Sequence, residues 1–309
     1  MSDAPPGPEP RPEPRPPRNR IEALARRAVE LVPMPQPPWR PTRHPVVLMH
    51  GFGALANLMQ DGVLHEEAMH LRTLGVAAYA PHVNPYDTLA VRAEAWAERL
   101  DAVLAETGAE RLNLVAFSSA GLEARWLAAR GWAPRLASIV TVSTPHRGTA
   151  LADLVLGRAE LPGGARLAAL ARRVAVGVMD AMGRAAYERA APNVEGALAE
   201  LAPASVCRRF DPAHPPPDGV WCASFAGRAG KGTDVPCYPP LVPMNRLLWA
   251  LQGLNDGIVP TAGAWWGERL GTLDADHARQ IGMALTASDR YDSRAFFASV
   301  CDRLRDRGL

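Results

Sequence analysis

Between residues 41 and 149 the chain alternates two kinds of pattern. Short runs of consecutive apolar residues lie near 45–50, 75–80, 111–116 and 137–142, and a long stretch of good helix formers covers 88–106. Apolar runs with no polar face suit strands covered on both sides, and their alternation with helices predicts parallel crossover units in a doubly wound sheet. After Thr149 the pattern changes. Leu167, Leu170, Val174, Val178 and Met182 recur at helical spacing, and strand character returns only at Val220-Trp221-Cys222-Ala223-Ser224-Phe225. So long a segment is not a bare loop, so residues from about 150 to 218 are expected to form a helical cap inserted into the sheet. The expected fold is therefore α/β, a mostly parallel doubly wound sheet over residues 41–309 with that cap.

The first forty residues have another character. Residues 1–18 hold eight prolines among Glu and Arg, which favour extended backbone and offer nothing to bury, so a disordered or polyproline-like tail is expected. Over residues 19–40, Ile21, Leu24, Ala28, Leu31 and Val32 make a short amphipathic helix with a linker after it. Such a helix more often packs on a domain than anchors to a membrane. The tail has no apolar h-region, so the expected localisation is cytoplasmic, with export by another route left open, and no integral membrane segment is expected.

Candidate chemistry gathers where strands meet turns. Asn113-Leu114-Val115-Ala116-Phe117-Ser118-Ser119-Ala120-Gly121-Leu122 reads as a buried strand turning through one serine into a helix. Small residues two places before and after that serine let strand and helix approach closely, as in the G-x-S-x-G nucleophile elbow, with Ala116 and Ala120 in the glycine places. The alternative is a serine at an ordinary helix N-cap. A second strand runs into the glycine-flanked loop His50-Gly51-Phe52-Gly53, whose backbone N–H groups suit an oxyanion site formed by Phe52 and by Ser119, the residue after the candidate nucleophile. Downstream, Asn255-Asp256-Gly257 puts a carboxylate in a tight turn, and His277 is the only histidine that follows it. The resulting order is Ser118, Asp256, His277. Asp274 and Asp276 are rival acids, and His50 and His146 read as turn-stabilising residues.

Four motifs in this order resemble the bacterial triacylglycerol lipases and esterases of the α/β-hydrolase superfamily, the Pseudomonas and Burkholderia type. They are the His50-Gly51-Phe52-Gly53 loop, the Ser118 elbow, Ser143-Thr144-Pro145-His146-Arg147-Gly148-Thr149, and Asn255-Asp256-Gly257-Ile258-Val259-Pro260 with His277 behind it. The resemblance covers roughly residues 41–309. It implies a serine carboxylester hydrolase with Ser118, Asp256 and His277 as triad, an ester or lipid substrate, no cofactor, and transient lipid contact through the cap. Thioesterase, acyltransferase and polyester depolymerase chemistry need the same triad, and a non-catalytic binding protein on this fold is the alternative of another class. Where the family has a histidine before the nucleophile and a glycine two after it, Phe117 and Ala120 stand. Where the secreted lipases place a calcium-binding aspartate two residues after the catalytic histidine, this chain has Arg279, beside Asp234 as the other candidate carboxylate, so no metal site is expected.

Composition narrows the picture little further. The 309 residues are 48% hydrophobic with a formal net charge of +2, and among 34 basic residues Lys231 is the only lysine. No basic cluster alternates with aromatics, so nucleic acid is not an expected partner. Cys207, Cys222, Cys237 and Cys301 lack C-x-x-C spacing and read as reduced thiols, with one disulfide in the 207–237 stretch if the protein is exported. Trp265 and Trp266 read as packing residues in preference to acyl contacts.

Overall fold

In the computed structural model of the chain, the residues described are 39–53, 62–158, 169, 173, 193–283 and 291–309. The expected tail over residues 1–18, the helix anchored on Ile21 and Leu24, and the helical positions Leu167, Leu170, Val174, Val178 and Met182 lie outside them. Among the described residues six strands form one sheet: β1 (Val46–Met49), β2 (Ala78–Tyr79), β3 (Leu112–Phe117), β4 (Leu136–Val142), β5 (Trp221–Gly227) and β6 (Glu268–Leu273). Their order is β2-β1-β3-β4-β5-β6, and every pairing is parallel. The apolar runs near 45–50, 111–116 and 137–142 thus become β1, β3 and β4, three of the four interior strands. The run near 75–80 forms an edge strand that pairs over only two residues.

Strand periodicity divides the core in two. Successive side chains of a strand point to opposite faces. Val46 and Leu48 of β1, with Val115 and Phe117 of β3, meet α1 (His65–Thr73) and α7 (Ser293–Asp306) through Ala68, Leu71, Phe297, Val300 and Leu304. Val47 and Met49, with Leu112, Leu114 and Ala116, meet α2 (Leu89–Thr107) and α3 (Ala120–Leu127) through Trp96, Leu100, Ala124 and Leu127. Helices therefore cover both faces, which is why β1, β3 and β4 are buried along their whole length. Between β4 and β5 the described residues include α4 (Ala150–Val155), α5 (Val194–Leu201) and a run of short helical turns from Pro203 to Ala213. The helix α6 (Val242–Gln252) follows β5. Among the described residues no helix is long and apolar enough to cross a membrane.

The sheet order places the site. The chain leaves β1 toward β2 on one side and returns to β3 on the other, so the carboxyl ends of β1 and β3 flank the point where the winding reverses. Ligands of open α/β sheets bind at such a crevice. Here it holds the His50 loop and Ser118.

Candidate active site

Ser118 closes β3 with φ of 59°, a left-handed conformation that is costly for a serine and is held by its surroundings. Its N–H donates to the Val142 carbonyl at 2.9 Å, and its carbonyl accepts from the Thr144 hydroxyl at 2.6 Å. Both anchors come from the end of β4 and the turn beyond it. Ser119 then begins α3, where the first helical N–H groups lack intrahelical acceptors. The close approach that the elbow needs falls on glycines other than the two alanine positions. A Cβ on Gly51 would lie 2.7 Å from the Ser118 Cβ and 2.8 Å from the Ser119 nitrogen, and one on Gly121 would lie 2.2 Å from the Thr144 hydroxyl oxygen. Ala116 and Ala120 are accommodated with no exposure at all.

Ser118, His277 and Asp256 lie in one hydrogen-bonded line. The Ser118 hydroxyl oxygen is 3.0 Å from His277 Nε2, and His277 Nδ1 is 2.7 Å from Asp256 Oδ2. Asp256 Oδ1 accepts the Ile258 and Val259 N–H groups at 3.0 and 2.8 Å, and Oδ2 also accepts from Gln280 Nε2 at 3.1 Å. The two segments are joined through the backbone as well, the His277 N–H donating to the Asp256 carbonyl. Burial alone would raise the Asp256 pKa, yet the adjacent His277 and this set of donors hold it below the ordinary carboxylate range. An ionised Asp256 accepts the proton on Nδ1, so Nε2 keeps its lone pair for the Ser118 hydroxyl. The ring of Phe117, the residue just before Ser118, packs on the imidazole with centroids 4.5 Å apart.

The other singled-out residues have different work. Asp276 accepts from the Tyr238, Ala278 and Arg279 N–H groups and from the Arg279 guanidinium, while Asp274 is exposed and pairs with Arg228. His50 lies between the Gly51 carbonyl and the Val83 N–H, and burial, then Arg92 and His82, push its pKa down to about 3. His146, fully buried, lies between Arg125 and Thr141. Trp266 is buried against the His146 ring and the Arg125 guanidinium. All four cysteines are free thiols. The Phe52 N–H, an expected oxyanion donor, donates to the Ser119 hydroxyl oxygen at 2.7 Å.

Three supporting groups were missed in the sequence. Gln280 reaches Asp256 because it falls one helical turn beyond His277, in space left by Gly227, where a Cβ would lie 2.0 Å from the Gln280 amide nitrogen. Thr144 stands in a motif already singled out, but nothing local tied it to the Ser118 carbonyl. The third group is a buried ion pair beneath the His50 loop, in which Arg92 Nε donates to Glu123 Oε1 at 2.7 Å with both side chains nearly inaccessible. A signal for it exists, since Arg92 continues the apolar stripe of Trp96 and Leu100 at intervals of four residues.

No protein-family model matches the chain. It is 32% identical over 138 residues to a triacylglycerol lipase of Vibrio cholerae, a match covering 44% of this chain and 42% of that one. It is 36% identical over 123 residues to a triacylglycerol lipase of Burkholderia plantarii, covering 37% and 33%. The match thus spans less than half the length of these curated relatives. Among solved structures, a metagenomic carboxyl esterase superposes with a TM-score of 0.64 at 18% identity, covering 85% of this chain and 76% of that one. A Bacillus licheniformis lipase in its mature form superposes with a TM-score of 0.59 at 20% identity, covering 87% and 95%. The parallel sheet order, the covering helices and these superpositions define the α/β-hydrolase fold. Within that fold, the sequence similarity is to bacterial triacylglycerol lipases.

Proposed function

We propose that the protein is a serine carboxylester hydrolase acting on acyl esters. The observation that carries this reading is the line from Ser118 Oγ through His277 to Asp256, with spacings of 3.0 and 2.7 Å. His277 Nε2 removes the hydroxyl proton as Ser118 Oγ attacks the ester carbonyl, and Asp256, ionised throughout, holds the imidazole in the required tautomer and stabilises the imidazolium. The tetrahedral oxyanion is received by the amides of Ser119 and Phe52. Collapse of the intermediate breaks the bond to the alkoxy group, which leaves with the proton from His277, and water repeats the sequence on the acyl-enzyme to release the acid. The triacylglycerol lipases among the relatives support an acylglycerol or similar lipid ester as the substrate class.

The test is hydrolysis of p-nitrophenyl esters of increasing chain length, and of emulsified triglyceride, by the wild type and Ser118→Ala. The variant is expected to lose activity by about 10⁶-fold in kcat and to lose labelling by a fluorophosphonate. Labelling retained in Ser118→Ala overturns the assignment, and a wild type inert toward every chain length would favour a binding role. Transfer of the acyl group to an added alcohol in preference to water would identify an acyltransferase.

A further inference from the structure

The hydroxyl of Ser119 has an assignable role of its own. It lies between two partners, 2.7 Å from the Phe52 nitrogen and 3.2 Å from Glu123 Oε1. Glu123 is almost wholly buried and carries, besides Ser119, the Arg92 guanidinium on both its oxygens and the Trp96 indole N–H at 2.8 Å. An ionised carboxylate only accepts, so the single Ser119 proton points at Glu123 and the hydroxyl oxygen turns a lone pair to the Phe52 N–H. The Phe52 amide is thereby satisfied within the protein.

The His50 loop does not need that bond to hold its place. Arg92 donates to the His50 carbonyl at 2.8 Å and also to the Asn84 carbonyl, and the Gly53 N–H donates to the Pro85 carbonyl at 2.9 Å. The loop is therefore fastened on both sides of Phe52. Phe52 itself is flanked by Gly51 and Gly53, so neither neighbour carries a side chain that would cover its N–H.

We propose that the Ser119 hydroxyl is a positioning residue that masks the Phe52 amide in the resting protein and yields it to the oxyanion as the tetrahedral intermediate forms. The proposal rests on the ester-hydrolase reading. In the exchange Phe52 replaces a neutral acceptor with a charged one, a stronger bond, while Ser119 keeps its bond to Glu123. Both the Phe52 N–H and the Ser119 hydroxyl proton thus have an acceptor at either stage. A bond present in the resting state and absent from the transition state stabilises only the former, so it slows turnover. Removing it accelerates the reaction.

The experiment compares wild type, Ser119→Ala and Ser119→Cys in steady-state hydrolysis of p-nitrophenyl butyrate, each titrated with a fluorophosphonate. Ser119→Ala is expected to raise kcat severalfold, up to about tenfold, with KM unchanged, and Ser119→Cys, a weaker acceptor, to fall between. A merely structural role for the hydroxyl would lower kcat or move KM. A kcat that is unchanged or reduced in a variant still labelled stoichiometrically overturns the proposal. Should Ser119→Ala fail to fold, the crystal structure of the phosphonylated wild type decides: the Phe52 nitrogen is expected within about 3 Å of the phosphonyl oxygen, and a Phe52 N–H still on the Ser119 hydroxyl overturns the mask. Failure of the ester-hydrolase reading has a separate signature, a wild type neither labelled nor active.

Discussion

Helix α3 starts at the Ser118 turn and sends two charged residues, Glu123 and Arg125, into two different buried networks. On one side Glu123 binds Arg92, Trp96 and Ser119 beneath the His50 loop, and the Arg92–Glu123 side chains are 1% and 2% exposed. On the other, Arg125 binds His146 and stacks on Trp266, then reaches Asp211 and the His214 carbonyl in the segment that leads into β5. There Asp211 is 26% exposed and is shared with Arg147, itself half exposed. The first network is closed and joins parts of the sheet scaffold to each other. The second has one end in solvent and joins α3 to the run of short helical turns before β5. A closed ion pair loses most when one partner is removed, because the survivor has neither water nor a substitute. An open one is replaced by solvent at little cost.

The largest expected effect therefore follows Glu123→Ala. It leaves the buried Arg92 guanidinium without its counter-charge, on the His50 and Asn84 carbonyls alone, and takes the acceptor from Trp96 and Ser119, and the expected loss is about 3–5 kcal/mol of folding free energy, read from urea unfolding. A loss under about 1 kcal/mol, the range of exposed pairs, would erase the distinction between the two networks. Arg92→Met with Glu123→Leu is expected to recover much of that loss, since an apolar pair of similar volume leaves no buried charge.

These networks also mark what was legible in the sequence. The central strands follow from runs such as Val46 to Met49, in which every residue is apolar and every residue is buried. Ser118, Asp256 and His277 were named from chain order and turn chemistry, and the structure brings them within hydrogen-bonding distance. Arg92 and Glu123 were not named, because a charged residue in a helical pattern ordinarily marks the solvated face. Two such residues 31 positions apart neutralise one another only after β3 has been laid beside β1. Gln280 escaped notice similarly, since its amide acquires a role only where Gly227 leaves room. Local pattern gives elements and turns; pairings across the sheet need the topology.

Each network contains one histidine that burial keeps neutral. The His50 pKa is pushed down to about 3 by burial, then by Arg92 and His82. His146 is held well below its ordinary value by burial, then by Arg125 and Arg147. In the unfolded chain both titrate near 6.5. Below that pH the unfolded state binds more protons than the folded one, so stability falls as pH falls. The His50 contribution is lost between about 6.5 and about 3, at roughly 1.4 kcal/mol per pH unit once the unfolded histidine is fully charged. Replacing His146 with Gln is expected to reduce the slope of unfolding free energy between pH 6 and 4 by about one proton. An unchanged slope would mean that His146 takes up its proton in the folded state, which the adjoining Arg125 opposes.

The smallest effect is expected at the open end. Asp211→Asn removes the charge opposite Arg125 but leaves that guanidinium the His214 carbonyl, bonded from both Nε and Nη2, and the His146 ring nitrogen. With Asp211 partly in solvent, the expected cost is about 1 kcal/mol, again by urea unfolding. The more telling readout is local. Hydrogen exchange in the run from Pro203 to Ala213 is expected to quicken in Asp211→Asn while protection in β1 and β3 stays at the wild-type level, because the carboxylate ties that run to α3 without bearing on the sheet. Equal loosening of β1 would show that the Arg125 network also supports the strands carrying the His50 loop and Ser118, and the two sides of α3 would then act as one unit.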